Sequence, residues 1–164
     1  MRIALKIFTI CVALVIAGCS TDRATKEAIR RAETIAREMP DSALVLIKSL
    51  DPQNVRGEDD KAHYRLVEAE VLYYNRILPD REEVAQPLFD HYLTSNDHRE
   101  RARAMYQYAL VMQAEGENAE ALYALLEAEK SLELCKYLDK PRLQGLVHRT
   151  KGEIYGVECL FSNA

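Results

Sequence analysis

Proline and glycine divide most of this chain into segments whose apolar residues recur at helical spacing. Pro40, Pro52, Pro79 and Pro141 stand at segment ends, and Gly116 separates two of the longest segments. Sustained alternation of apolar and polar residues, the usual sign of half-buried strands, is nearly missing. Amphipathic helices must bury their apolar stripes against one another. The pattern therefore predicts an all-α fold.

Start and stop signals predict seven helices. Six of them are expected at about residues 24–38, 42–49, 60–78, 99–115, 119–137 and 141–161. The fourth in chain order is expected to be capped by Asp80 and to contain Val84 to Tyr92. Pro87 lies inside this fourth helix, and a proline at such a position is expected to kink it.

Small and large residues follow a regular order within one pair of these helices. The small positions hold alanine and the large positions hold methionine, tyrosine or leucine: Met105, Tyr108, Ala109, Met112, Ala121, Leu125 and Ala128. Small residues let two antiparallel helices cross closely, while large ones fill the gaps between pairs. Weaker copies of the pattern place Ala69 and Gly152 in the small position, which indicates an irregular repeat.

This order of residues resembles the tetratricopeptide repeat, although the spacing exceeds the usual 34 residues. The stretches Asp41–Leu44, Tyr64–Glu70 and Ala102–Tyr108 resemble a divergent tetratricopeptide-like group from bacterial envelopes. The resemblance implies antiparallel helix pairs stacked as a short right-handed solenoid that ends on an unpaired helix. In that group such repeats often form the periplasmic sensory half of an envelope-anchored regulator. A generic helical bundle with alanine-rich interfaces is the alternative.

The start of the chain resembles a bacterial lipoprotein signal peptide. Residues 1–6 contain the basic Arg2 and Lys6, residues 7–17 are almost entirely apolar, and Ala17 and Gly18 precede Cys19. The resemblance implies cleavage after Gly18 and acylation of Cys19, with palmitate among the attached chains. It divides the sequence into a signal peptide (1–18), a lipidated tether (19–23) and a tetratricopeptide-like helical domain (24–164). A plain signal peptide or an N-terminal anchor helix is the alternative.

Charge and composition further limit what the chain is expected to bind and where it is expected to lie. The formal net charge is −4, and loss of Arg2 and Lys6 with the signal peptide makes the mature chain more acidic. Such a balance argues against nucleic-acid binding, which needs clustered basic residues. Because Ser20 follows the lipidated cysteine, the resemblance favours the outer membrane, facing the periplasm. The expected location is therefore the bacterial cell envelope, with the bilayer contacted through acylated Cys19.

The sequence contains no recognisable catalytic or metal-binding constellation. His91 and His98 lie near Asp90 and Asp97, but four convergent ligands would be needed for a metal, and a solvated turn is the favoured interpretation. The chain is expected to be non-enzymatic, without metal or cofactor. Cys135 and Cys159 are interpreted either as a disulfide, which the envelope permits, or as two small buried residues.

A partner-binding surface is the remaining candidate site. In tetratricopeptide arrays the first helix of each pair lines the concave face. The resemblance therefore implies that residues at the equivalent positions of the third, fifth and seventh helices line a groove. They are His63, Leu66, Glu70, Tyr73, Tyr74, Arg103, Tyr106, Leu110, Gln113, Arg149 and Glu153. Tyrosine and arginine often carry binding energy at interfaces, and such a groove suits an extended or helical peptide. Alternatively, the tyrosines pack between repeats.

The last helix carries apolar residues on more than one side, so we expect it to dock on the array as a cap or to pair with another chain.

The lipoprotein-like start, the helical repeats and the candidate groove together predict a membrane-anchored adaptor or sensor that binds a peptide or protein partner of the envelope. Two alternatives are a truncated sensory module of a regulator, and an envelope enzyme or small-ligand carrier.

Overall fold

The computed structural model describes residues 23–161, with side chains described through residue 157. The predicted signal peptide and the predicted lipid-attachment residue Cys19 lie outside the described residues, as does nearly all of the tether. None of the described helices has the length and apolarity needed to cross a membrane.

Residues 23–161 contain seven α-helices and no strand, which confirms the predicted all-α fold. The helices are α1 (residues 23–35), α2 (Pro40–Lys48), α3 (Glu58–Tyr74), α4 (Gln86–Tyr92), α5 (His98–Glu115), α6 (Asn118–Leu134) and α7 (Lys140–Phe161). A short 3-10 turn (Pro52–Asn54) precedes α3, and a π-helical turn (Arg81–Ala85) leads into α4.

Several helix ends are set by the capping residues that the sequence shows. The Asp97 carboxylate accepts hydrogen bonds from the backbone N–H groups of Arg99 and Glu100 at the start of α5. Asp80 accepts the N–H of Glu83 at 2.8 Å in the same way. At the other end of α5, Gly116 has φ of 84°, a left-handed conformation that glycine adopts without a Cβ clash. These local contacts explain why the bounds of α5 were predicted closely.

Two predicted helices end earlier in the structure than their sequence patterns indicate. The third helix ends at Tyr74 rather than near residue 78, because the Asn75 side chain donates to the carbonyl oxygens of Val71 at 2.7 Å and Pro40 at 3.0 Å. Arg76 then adopts φ of 59°, which cannot continue a helix. The sixth helix ends at Leu134 rather than residue 137, and the chain becomes extended there.

A π-helical turn (Arg81–Ala85) runs directly into α4, and Pro87 lies in the first turn of α4. Ala85 and Gln86 both have right-handed helical backbone angles, so the helical backbone is continuous and its hydrogen-bonding pattern changes just before the proline. π-helical turns and prolines are usual sites of helix kinks, and the kink expected at Pro87 stays a prediction.

Helix α3 packs on both sides and so joins two hydrophobic clusters. One face, with Tyr64, Val67 and Val71, packs against α1 and α2. The other, with Leu66 and Ala69, belongs to a larger cluster that continues through α4, α5, α6 and α7. Because α3 is covered from two directions, only a narrow strip of its surface is left to line a binding face.

The last helix docks on α5 and α6 but keeps one side open. Leu143, Val147 and Ile154 of α7 are buried in the larger cluster. Gly152 is exposed, and a Cβ built there would meet no atom within 4 Å. Ala69 and Ala109, which hold the same position in the sequence pattern, are fully buried. The burial of Leu143, Val147 and Ile154 confirms the docking expected of this helix. Pairing with another chain through the open side stays a prediction.

Candidate functional site

A buried arginine on α5 connects three helices. The Nε and Nη2 atoms of Arg103 donate to the two carboxylate oxygens of Glu70 on α3, at 2.8 and 2.6 Å. Nη2 also lies 2.7 Å from a carboxylate oxygen of Glu33 on α1. Arg103 is only 7% exposed, so both contacts form largely out of water. A bidentate pair of this kind fixes orientation as well as distance.

A histidine extends this network to α4. His63 Nδ1 lies 2.9 Å from Glu100, and Nε2 lies 3.5 Å from Glu33. The second oxygen of the Glu100 carboxylate accepts the Tyr92 hydroxyl at 2.6 Å. The chain of contacts from Glu70 to Tyr92, which we call the Arg103 network, therefore ties α1, α3, α4 and α5 together.

The contacts of His63 change its charge state and that of its neighbour. Hydrogen bonds to Glu100 and Glu33 raise the pKa of His63 from 6.5 to about 9, although burial opposes the shift. The hydrogen bond with His63, together with the charge of Arg103, lowers the pKa of Glu33 from 4.5 to about 2. At neutral pH the network therefore contains an imidazolium beside ionised carboxylates.

A cavity of about 180 Å³ opens between α1, α3, α5 and α7, and we call it the main cavity. Four arginines, four tyrosines, three carboxylates, two leucines and a glutamine line it. They are Glu33, Arg37, Glu70, Tyr73, Tyr74, Arg99, Arg103, Tyr106, Gln107, Tyr137, Asp139, Arg142, Leu143 and Leu146. Aromatic rings beside arginines form the kind of surface that recurs at protein interfaces.

The tyrosines of the main cavity also pack on one another. Tyr73 meets Tyr74 edge to face with ring centres 5.3 Å apart, and it meets Tyr106 at 6.1 Å. Tyr106 is only 1% exposed, and burial raises the pKa of its hydroxyl. These tyrosines therefore pack between helices and also line the cavity, whereas their role in binding a partner stays a prediction.

Contacts between separate segments narrow the opening of the main cavity. Arg142 on α7 donates from Nη2 to the hydroxyl of Tyr74 on α3 at 2.8 Å. Arg37, just after α1, lies 3.7 Å from Asp139, which precedes α7. These contacts leave a cavity of roughly the size of one large side chain.

The structure brings together about half of the predicted groove residues. Glu70, Tyr73, Tyr74, Arg103 and Tyr106 all line the main cavity. His63 instead lines a neighbouring cavity with Glu33 and Glu100.

The other predicted groove residues lie elsewhere. Leu66 was assigned wrongly to the groove, because it is fully buried in the core. Arg149 and Glu153 are exposed on α7, 3.5 Å apart, and Arg149 lies near Tyr73 and Tyr106, two residues of the main cavity. Gln113 is half-buried toward the end of α5, and Leu110 lines a separate apolar cavity beside Tyr73.

Nine cavity residues were not among the predicted groove residues: Glu33, Arg99, Gln107, Tyr137, Arg142, Arg37, Asp139, Leu143 and Leu146. The first three lie on helices, and the i, i+4 spacing from Arg99 through Arg103 to Gln107 was available as a signal. Tyr137 lies in the turn after α6, where the sequence pattern predicted helix. Its position depends on a tertiary contact, the Arg99 guanidinium over its ring at 5.7 Å.

The histidine and cysteine interpretations have separate outcomes. No group of three or more potential ligand side chains converges on a metal site within the described residues. His91 is half-buried, with Nε2 3.6 Å from Asp59. Cys135 is a free, half-buried thiol whose sulfur lies 3.8 Å from the Leu132 carbonyl oxygen. The side chain of Cys159 lies outside the described side chains.

No protein-family model, curated protein or solved structure matches this chain. The tetratricopeptide resemblance therefore rests on the sequence pattern and stays a prediction, whereas the all-α fold rests on the structure.

The Arg103 network predicts a stability maximum at mildly acidic pH. The raised pKa of His63 contributes stability that is complete below pH 6.5 and lost as the pH rises through about 9. The lowered pKa of Glu33 contributes stability that is present above pH 4.5 and lost as the pH falls toward 2. The unfolding free energy, measured by urea titration, is expected to fall by about 1–3 kcal/mol between pH 6.5 and 9.

His63→Gln is expected to remove most of this decrease. His148→Gln, which changes a histidine with a 59% exposed side chain, serves as the matched control and should keep the decrease. An unchanged pH profile in His63→Gln would contradict the charged state assigned to His63.

Proposed function

We propose that this chain is a lipid-anchored, non-enzymatic adaptor or sensor of the bacterial envelope, which holds a segment of a partner protein against its concave face. The main cavity carries the proposal, since it combines a buried, oriented arginine with aromatic walls on a surface that stays open to solvent. Such anchors in a desolvated pocket carry most of the energy of many interfaces.

A short tetratricopeptide-like solenoid is the architecture that we propose for this surface. Support comes from packing that skips one helix, since α3 contacts α5 and α5 contacts α7. The small positions of the repeat pattern, including Ala109, Ala121 and Ala128, are fully buried where helices cross. In such an array the first helices of successive pairs share one face, and the residues of the main cavity come chiefly from these helices.

The size of the main cavity supports a second candidate, a carrier of a small ligand. A volume of about 180 Å³ resembles engineered cavities that hold a benzene-sized molecule. The exposed Arg149 and Glu153 beside the cavity favour the partner-protein proposal, because a small ligand would not reach them.

The lipid anchor can be tested by metabolic labelling with palmitate. Cys19→Ser is expected to abolish the label and release the protein from the membrane fraction, because a diacyl anchor is effectively permanent. Cys135→Ser, which changes a free thiol on the folded domain, is the matched control and should keep the label. Equal labelling of Cys19→Ser and the natural protein would contradict the proposed anchor.

The partner surface can be tested by in-cell crosslinking and purification of tagged protein from detergent-solubilised envelopes. The variant Arg142→Glu/Arg149→Glu reverses two exposed charges at the concave face and keeps the buried Arg103 and Tyr106 themselves. We expect it to lose at least about tenfold of the captured partner, because charge reversal brings like charges together at the interface and so disfavours association.

A matched control is Lys48→Glu/Arg56→Glu, which makes the same change in net charge at two exposed residues outside the main cavity. It should capture the partner as the natural protein does. Identical neighbours in all three samples would contradict the concave face as the binding surface.

A further inference from the structure

Arg103 keeps one hydrogen-bond donor unused. Its Nε and Nη2 atoms donate to Glu70, and Nη2 also contacts Glu33, but Nη1 is buried without a hydrogen-bond partner. A buried donor without an acceptor is unfavourable, so it marks a place where an incoming oxygen would be stabilised. Arg103 lines the main cavity, so this unused donor belongs to a side chain of the cavity wall, where it is closed to solvent.

A second unused donor lies in the same cavity. The Tyr137 hydroxyl is also buried without a partner among the described residues, as are the Tyr106 hydroxyl and the Gln107 amide oxygen, whose residues line the cavity too. Tyr137 lies close enough to Arg103 and Arg99 to be influenced by both charges, and its ring lies under the Arg99 guanidinium. The Arg103 and Tyr137 donors, with the Arg99 charge beside them, suit an acceptor that carries negative charge.

The charges that line the cavity indicate how much negative charge it takes. Four arginines face three carboxylates there, which leaves one positive charge in excess. A single carboxylate would neutralise that excess, whereas a cation would add repulsion. The half-buried Leu146 and the buried Leu143 supply an apolar wall beside the donors.

The volume of about 180 Å³ limits the stem that carries this charge. A cavity of about 150 Å³ accepts benzene, a molecule of six heavy atoms. A glutamate or aspartate side chain fits within this size, whereas a helix or a folded domain does not.

We propose that the main cavity binds one carboxylate on a short apolar stem, the side chain of an acidic residue in the partner segment. The carboxylate accepts from Arg103 Nη1 and the Tyr137 hydroxyl, and its methylene groups contact the leucine wall. This inference rests on the proposed function for the source of the carboxylate, and it names the residue type that the surface selects.

Two isosteric probes test this selectivity directly. N-acetyl-glutamate N-methylamide and its glutamine analogue differ in charge and hardly in shape, and each can be titrated into the protein while NMR follows the Tyr137 ring and the arginine Nε–H signals. We expect the glutamate probe to bind at least about tenfold more tightly, because hydrogen bonds to a charged acceptor are stronger than those to a neutral one. Equal affinity for the two probes would overturn the inference.

Tyr137→Phe separates recognition from folding. Because the Tyr137 hydroxyl has no partner in the structure, its removal should leave the Tm unchanged while it weakens the glutamate probe about fivefold to tenfold. Tyr123→Phe, at a tyrosine that is 49% exposed and outside the cavity, is the matched control and should keep full affinity. Unchanged affinity in Tyr137→Phe would contradict the assigned donor.

Free glutarate distinguishes the source of the carboxylate. Binding of glutarate without binding of the glutamate probe would overturn the side-chain assignment, because the cavity would then select a free acid. Capture of a partner in cells without glutamate selectivity would leave the proposed function standing and remove this inference. Glutamate selectivity without any captured partner would support carboxylate recognition and count against the proposed function.

Discussion

The contact of Arg103 with Glu70 and Glu33 is the interaction on which the candidate site depends. It brings a charge from α5 between carboxylates of α3 and α1, and these three helices form most of the cavity wall. Apolar packing between the helices would tolerate small rotations, whereas a bidentate ion pair out of water does not. A buried ion pair adds little net stability, and its effect here is to fix how the helices face one another.

The sequence predicted the parts of the fold that depend on local chemistry. Asp97 and Gly116 mark the ends of α5, and the alanines of the repeat pattern are buried where helices cross. Leu66 was assigned wrongly because α3 is covered by helices on two sides. The groove positions were transferred to α3 from the repeat pattern, which does not reveal this second covered side. Tyr137 and Arg142 were missed because the turn between α6 and α7 is positioned by contacts with residues distant in sequence, such as Tyr74.

The position of α7 links the fold to the proposed role. It covers the larger hydrophobic cluster with one face, and another part of it carries Arg142 and Leu143 into the main cavity. The side that holds Gly152 is open. In our account α7 closes the concave face to the size of a side chain, and Arg149 and Glu153 stay available to a partner that lies across the cavity mouth.

A double-mutant cycle on Glu70→Gln and Arg103→Gln tests the central claim most directly, with unfolding free energies measured in urea. A parallel cycle on Glu153→Gln and Arg149→Gln reports the coupling of an exposed pair. The account predicts a coupling energy of about 1.5–3 kcal/mol for the buried pair and about 0.5 kcal/mol or less for the exposed one. Additive effects at Glu70 and Arg103, within about 0.5 kcal/mol, would contradict it, because the cavity would then be held by apolar packing alone.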